Sequence, residues 1–243
     1  MSARPDAPAL VVAALPEELS PFARRLRLAA ERAEGLRVLR TRAPGPTLLL
    51  AVTGDGPANA ARHAARLCRR YRPSALVGVG VAGALTPTLA PFDLVVSAAV
   101  RNGSADAPWP DEALLARATA AGAIPGTLVS SGAPVVSAAG KRRLAEGAGE
   151  VAAVDMESAA WARAAAAAGI PFVVVRAIAD GAAEDLPAYL ADCLGSDGGI
   201  RRSAVVARAL ASPGSIPALL ALRRRVVRCA GRLADFLGAF LGP

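Results

Sequence analysis

The sequence predicts an α/β fold, a sheet with helices on both faces, and three observations carry that expectation. Apolar runs rich in Val, Leu and Ile alternate with helix-periodic segments along most of the chain. Of the 243 residues, 53% are hydrophobic, enough to bury the core of one large domain. Two acidic segments, VDMESAA at 154–160 and VVVRAIAD at 173–180, flank an alanine-rich stretch that reads as helix. Glu157 then opens that helix and Asp180 closes the strand after it, which brings two acids to one sheet edge, where open α/β sheets bind ligands.

The elements follow in order. The apolar run at 10–14 reads as a first strand rather than a signal peptide, because Asp6 precedes it and Glu17 and Glu18 follow at once. A helix is expected over 17–33; Glu17 and Glu18 in its first turn complement the helix dipole and need no further purpose. Strands at 36–40 and 48–52 lead to VTGDGPANAARHAA, in which Gly54 and Gly56 precede Pro57 at the start of a helix over 57–71. The backbone N–H groups there make Gly54 and Gly56 candidate anion-binding positions, although the loop has neither the lysine of a P-loop nor the dinucleotide spacing.

A strand at 75–79 runs into GVGVAGAL, whose glycines either let backbone approach a ligand or let a helix pack closely. Further strands are expected at 94–100, 126–130, 151–154 and 172–178, with helices over 111–121, 138–146, 157–168 and 186–194. Gly169 and Pro171 stop the helix that Glu157 opens.

Composition excludes several function classes. Three dispersed cysteines, Cys68, Cys193 and Cys229, and a single histidine, His63, offer neither a disulfide framework nor a zinc site, so no metal or cofactor is expected and the cytoplasm is the expected compartment. The net charge of +8 is unevenly placed: from residue 201 onward eight arginines face only Asp235, a net +7, which leaves +1 for residues 1–200. The stretch 215–241 sets Leu219, Leu222, Val226, Cys229, Leu233, Phe236 and Phe240 at helical spacing, with arginines between them. Such a basic amphipathic helix suits an anionic membrane surface, or else packs on the body or on a second subunit; its arginines interrupt it too often for a transmembrane span. With 4% aromatic residues, nucleic-acid binding is not expected.

In their order, ALPEEL, VTGDGPANAA, GVGVAGAL, AVDMESAA and PFVVVRAIAD resemble the purine nucleoside phosphorylase and uridine phosphorylase superfamily, over roughly residues 9–211. The likeness is especially to the nucleosidase branch that includes methylthioadenosine/S-adenosylhomocysteine nucleosidase. The resemblance implies a three-layer fold with a central mixed sheet, a domain over 1–211 and a helical extension over 212–243. It also implies a homodimer or larger assembly, and it implies roles residue by residue. Glu18 matches the acid that holds the attacking water, Glu157 the acid that grips the ribose hydroxyls, and Met156 the side chain beneath the sugar. Asp180 matches the acid that gives a proton to N7 of the purine, and Val135 the segment that reads the purine edge. A carboxylic acid at N7 neutralises the leaving base while positive charge develops on the sugar. Asp180 must therefore be protonated when substrate binds, and burial or a neighbouring acid is expected to raise its pKa.

Departures from the family pattern matter as well. Val81, two residues before Gly83 in GVAGAL, stands where the nucleosidases carry a serine, and Pro134 where they often carry a stacking phenylalanine; that role is open to Trp109, although a surface or core tryptophan in a loop is the favoured reading of that residue. LPEEL replaces the phosphate-holding GDPxR-type loop of the phosphorylases, which favours water over phosphate as nucleophile. The segment between Val100 and Asp111 is short, implying an open 5′ side. An open site and a membrane-seeking tail together resemble the hopanoid-associated phosphorylase branch, thought to release adenine from adenosylhopane. A soluble adenine nucleoside, or a membrane-associated binding protein without activity, are the alternatives.

Overall fold

The alternation becomes ten strands and seven α-helices among the described residues, 7–42, 47–102, 105–195 and 199–242, of a computed structural model. In chain order they are β1 (Ala9–Ala13), α1 (Pro16–Ala23), β2 (Leu28–Ala33), β3 (Leu36–Thr41), β4 (Leu48–Val52), α2 (Pro57–Tyr71), β5 (Ala75–Ala84) and β6 (Leu94–Asn102). Then come β7 (Ala105–Asp106), α3 (Glu112–Ala120), β8 (Ile124–Ser130), α4 (Ala138–Ala145), β9 (Ala152–Asp155), α5 (Ser158–Ala167), β10 (Phe172–Asp180), α6 (Arg202–Ala211) and α7 (Ile216–Leu241). The outer limits expected for the two segments, residues 1 and 243, lie outside the described residues.

The strands form one mixed sheet in the order β10-β6-β8-β9-β5-β1-β4-β3-β2, with β7 added to β6. Because β10 pairs with β5 as well as with β6, the first five strands of that path close into a ring, and the rest extend from β5 as an open wing. Closure puts β1, β9 and β10 all beside β5, with Val154 and Asp180 both registered on Gly83. Three chain segments distant in sequence thus end around one strand.

Two apolar faces fill in on either side. On one, α2 and α5 bring Leu67 and Trp161 onto Leu10, Val12, Leu76 and Val174; on the other, α1, α3 and α7 bring Phe22, Leu114, Leu233 and Leu237 onto Val11, Val77 and Val173. Trp161, Leu233 and Leu237 are fully buried. Burying side chains of this size contributes ~1.5–3 kcal/mol each, which holds the helices to the sheet.

The expected helix over 17–33 is corrected. It stops at Ala23, and Leu28–Ala33 is an edge strand that turns at Glu34 and Gly35, both at positive φ (54° and 79°), into β3. The strand expected at 75–79 runs on to Ala84, so GVGVAGAL is strand rather than loop. The helix expected over 186–194 is a 3₁₀ turn at Ala188–Cys193.

The C-terminal segment also differs from a free extension. From Cys229 onward the apolar positions of α7 are buried against α1, β5 and β10, and Arg117 donates to the Phe240 carbonyl at 2.8 Å. The polar side stays outside, as do Leu220 and Val227, whereas Leu222 and Val226 of the first half are partly buried against the body. Among the described residues, no single helix is long and apolar enough to cross a membrane.

Candidate active site

A cavity of about 300 Å³ opens where β1, β5, β9 and β10 meet. Its lining includes Glu18, Val81, Gly83, Val135, Met156, Glu157 and Asp180, so seven of the nine residues singled out from the sequence come together. Gly54 and Gly56 do not line it.

Each acid is set by local structure. Glu18, 2% exposed, sits in the first turn of α1, and its two oxygens accept from the Leu15 N–H at 2.9 Å and the Val81 N–H at 3.0 Å. The Leu15 bond ties off the start of the helix, so the dipole reading and a site role coexist. Burial raises its pKa, with Arg176 and the backbone donors opposing. Glu157 caps α5, and its Oε1 accepts from the Gly56 N–H at 2.9 Å. Burial raises it to about 7; Arg176 works against that and Asp155 with it.

The Gly54/Gly56 loop is thereby corrected. Both glycines adopt φ of 83°, a conformation other residues disfavour, and the N–H so presented meets the chain's own Glu157 carboxylate. The donor proposed for an external anion is already occupied.

Between the acids lies Arg176, a charged residue in the middle of a strand buried along its whole length. It pairs with Asp155, reaches Glu157 at 3.3 Å and the Ser158 hydroxyl at 3.2 Å, and its guanidinium lies 4.8 Å from the Trp161 ring centroid. Burial disfavours its charge, but Asp155, Glu157 and Glu18 outweigh burial and raise its pKa. Asp155 also accepts from Ser130 at 2.7 Å and from both the backbone and hydroxyl of Ser158. Three carboxyl groups, Glu18, Asp155 and Glu157, thus crowd around one cation.

Of the three glycines of β5, Gly78 leaves room for the Trp161 ring of α5, as close helix packing requires, and Gly80 and Gly83 leave room for the acids and Arg176. A Cβ on Gly80 would lie 2.2 Å from Arg176 Nη1 and 2.8 Å from Glu18 Oε1; one on Gly83 would lie 2.8 Å from Asp180 Oδ2. Of the two sequence readings, neither ligand approach nor helix packing describes Gly80. It is side chains of the site itself that need the space.

Asp180, 5% exposed, ends β10. Burial raises its pKa, against Lys141, whose ammonium donates to Oδ2 at 2.5 Å. Val81 stands with its N–H on Glu18 and its carbonyl on Arg176 at 3.4 Å, so this residue contributes backbone where a serine would contribute a hydroxyl. Trp109 does not stack here: it is 72% exposed and borders a separate surface depression with Pro110 and Phe172. The opposite wall is apolar, formed by Leu186, Leu190, Ile200, Leu222 and Val226, the last two from α7.

Sequence reasoning missed Asp155, Arg176 and Lys141. Arg176 carried a signal, a cation inside VVVRAIA, and so did Lys141, the only lysine of the chain. Asp155 was hidden beside Glu157 in VDME.

A family model described as the phosphorylase superfamily matches residues 8–193. Among solved structures, the chain is similar to S-adenosylhomocysteine nucleosidase from Streptococcus pyogenes in complex with 5-methylthiotubericidin: 22% identity, TM-score 0.77, covering 99% of this chain and 98% of that one. It is similar to futalosine hydrolase of Helicobacter pylori strain 26695, at 18% identity and TM-score 0.76 over 97% of each chain. The 5′-methylthioadenosine/S-adenosylhomocysteine nucleosidase of Neisseria meningitidis, in complex with methylthio-immucillin-A, follows at 21% identity and TM-score 0.74, over 96% of this chain and 97% of that one. At these identities the likeness is one of fold. Its coverage of 99% in the first case extends beyond residue 193 into the C-terminal helix.

Proposed function

We infer the activity from one premise, that the chain belongs to the phosphorylase superfamily. The proposed reaction is cleavage of the N-glycosidic bond of an adenine nucleoside, with release of adenine. The observation that carries it is the meeting of three buried acids, Glu18, Glu157 and Asp180, around one cavity with Met156 and Val135.

The steps balance. Asp180 gives a proton to N7 of the purine as the electron pair of the C1′–N9 bond passes to the base. Glu157 holds the ribose hydroxyls over Met156 as the oxocarbenium ion develops. Water adds to C1′ and gives its proton to Glu18, so one proton leaves Asp180, one arrives at Glu18, and solvent restores both. General acid assistance of this kind contributes ~10²–10⁴ in rate.

Water is favoured over phosphate by charge. Among the described residues Arg176 is the one cation lining the cavity, and its fork is already engaged by Asp155, Glu157, Ser158 and the Val81 carbonyl. A phosphate dianion beside Glu18 would meet a carboxylate instead of a free cation.

The proposed substrate is a lipid-linked adenine nucleoside, adenosylhopane, drawn from an anionic membrane on whose inner, cytoplasmic face the protein sits peripherally as a homodimer or larger assembly. Support comes from the apolar cavity wall at Leu222 and Val226 of α7, and from Val206, Leu210, Leu220 and Val227, which are exposed on α6 and α7. Exposed Arg208, Arg223, Arg224 and Arg232 stand among them. Such a surface suits an anionic interface. Soluble methylthioadenosine or S-adenosylhomocysteine is the alternative substrate, and nucleoside binding without turnover the alternative function. Incubation with adenosylhopane in vesicles, methylthioadenosine and S-adenosylhomocysteine, each with and without phosphate, and product analysis by mass, tests all of these. Adenine from none sinks the enzyme; adenine from the soluble nucleosides alone moves the substrate to the alternative; phosphate dependence converts hydrolysis to phosphorolysis.

A further inference from the structure

The chain carries 28 basic residues, of which Lys141 is the one lysine and the other 27 are arginines. That lysine, in α4, is 0% exposed. Its Nζ donates to Asp180 Oδ2 at 2.5 Å, to the Gly181 carbonyl at 2.7 Å and to the Glu184 carbonyl at 2.9 Å. Three acceptors use the three donors of an ammonium, and a compact tetrahedral charge meets all three where the planar fork of arginine would not. Burying an ammonium is costly unless it is paired and fully bonded, which this one is.

The surroundings hold the pair rigid. Ser137 caps the start of α4 and the Ala138 N–H is fixed on Asp185 at 2.6 Å. Glu184 takes both terminal guanidinium nitrogens of Arg225 from α7, and the Gly181 N–H donates to it at 3.3 Å. The turn after Asp180 is therefore anchored from two sides, and Lys141 is its centre. With Oδ2 committed to Lys141, Oδ1 is the oxygen of Asp180 without a protein partner among the described residues.

We propose that Lys141 is the positioning residue for the proton donor: it presents Oδ1 of Asp180 to the purine and sets the upper pH at which Asp180 still donates. The inference rests on the nucleosidase reading above. The charged and titratable groups facing Asp180 are Lys141 from α4, Glu184 from the following turn, Arg225 and Cys229 from α7, and across the cavity Glu18, Glu157 and Arg176. Burial alone would leave Asp180 a weak acid, slow to release its proton to N7. The ammonium strengthens it towards the match of acid and operating pH that catalysis favours.

Lys141→Met keeps an unbranched chain one atom shorter and removes the charge. The alkaline limb of kcat/KM, which reports loss of the donor proton, is expected to move up by ~1 pH unit or more, since an opposite charge at this range shifts a carboxyl by ~1–3 units. At the same time kcat is expected to fall ~10–100-fold as the carboxyl loses its fixed direction. Lys141→Gln serves as the second variant. A fall in kcat with an unmoved limb, or wild-type values of both, overturns the proposal. Should both variants fail to fold, ¹⁵N-lysine labelling of the wild-type chain reads one ammonium. A protected signal that shifts in Asp180→Asn is expected, and an unprotected signal, or one indifferent to that substitution, overturns the pairing. This signal is read without any substrate, so a wild-type protein that cleaves no nucleoside would sink the nucleosidase reading while the pairing is still decided.

Discussion

At the residue scale, the site is a set of acids whose protonation burial controls. Asp180→Asn leaves the Lys141 contact an oxygen acceptor but removes the transferable proton; turnover is expected to fall ~10²–10⁴-fold with the melting temperature little changed, and near wild-type rates would remove Asp180 from the donor role. Glu157 makes a pH prediction. Its carboxyl, ordinarily near 4.5, is raised by burial to about 7 in the folded chain, so between those values the unfolded chain has lost a proton that the folded chain keeps. Stability contributed at this site therefore declines as pH rises through that window and is flat above it. Glu157→Gln cannot titrate, so its melting temperature relative to wild type is expected to climb from pH 5 to pH 8, while its kcat/KM falls; a difference independent of pH would refute the raised carboxyl. Gly83→Ala inserts a methyl 2.8 Å from Asp180 Oδ2, in a strand that cannot retreat, and should displace the donor at a cost of about 1–3 kcal/mol in stability. Loss of turnover without loss of fold, read by thermal melting beside the assay, is the expected pattern. Glu18, Glu157 and Asp180 were legible in the sequence because their types and order were. Lys141 was not, because its spacing from Asp180 is set by the closure of the sheet and not by any local motif.

At the scale of elements, the sequence read well wherever one face of an element was wholly apolar. β1, β4 and β10 announce themselves as Val and Leu runs; α5 is bounded by Glu157 and by Gly169, whose φ of 65° lets the Ile170 N–H turn back to the Ala165 carbonyl at 3.0 Å. It failed at the edge. LAAERA in β2 is built from good helix formers, and as an outermost strand it buries too little to show an alternating pattern; pairing with β3 overrides its propensity. The Glu34-Gly35 turn was the available signal. The tail was half legible. Its helical spacing holds, but periodicity cannot say what a stripe faces, and here Leu233, Phe236, Leu237 and Phe240 face the body. Deleting 216–241 is therefore expected to give insoluble protein, and Leu233→Ala to cost about 2–5 kcal/mol by denaturation. A soluble, active deletion would restore the view of a dispensable extension.

At the scale of the whole molecule, charge and apolar surface are concentrated together. The +7 of residues 201–243 is borne largely by α6 and α7, and these also carry Val206, Leu210, Leu220 and Val227, four of the six large apolar side chains exposed on the described surface. Arg225 is spent on Glu184 and Arg228 lies 4.0 Å from the Phe92 ring centroid, so both are tied to the body. Arg208, Arg223, Arg224 and Arg232 remain to meet anionic headgroups. Each contributes ~1 kcal/mol near an anionic surface and less as salt screens it. Co-sedimentation with phosphatidylserine vesicles is expected at low salt, weakened by raised salt and absent with phosphatidylcholine alone. Leu210→Ser with Leu220→Ser should weaken it further without lowering the melting temperature, because neither side chain is in the core. Cleavage of a soluble nucleoside should be indifferent to all of these changes, whereas cleavage of a vesicle-embedded nucleoside should follow binding. Equal binding to neutral and anionic vesicles, or none to either, would detach the arginines from membranes and leave the exposed apolar residues to contact a second protein surface.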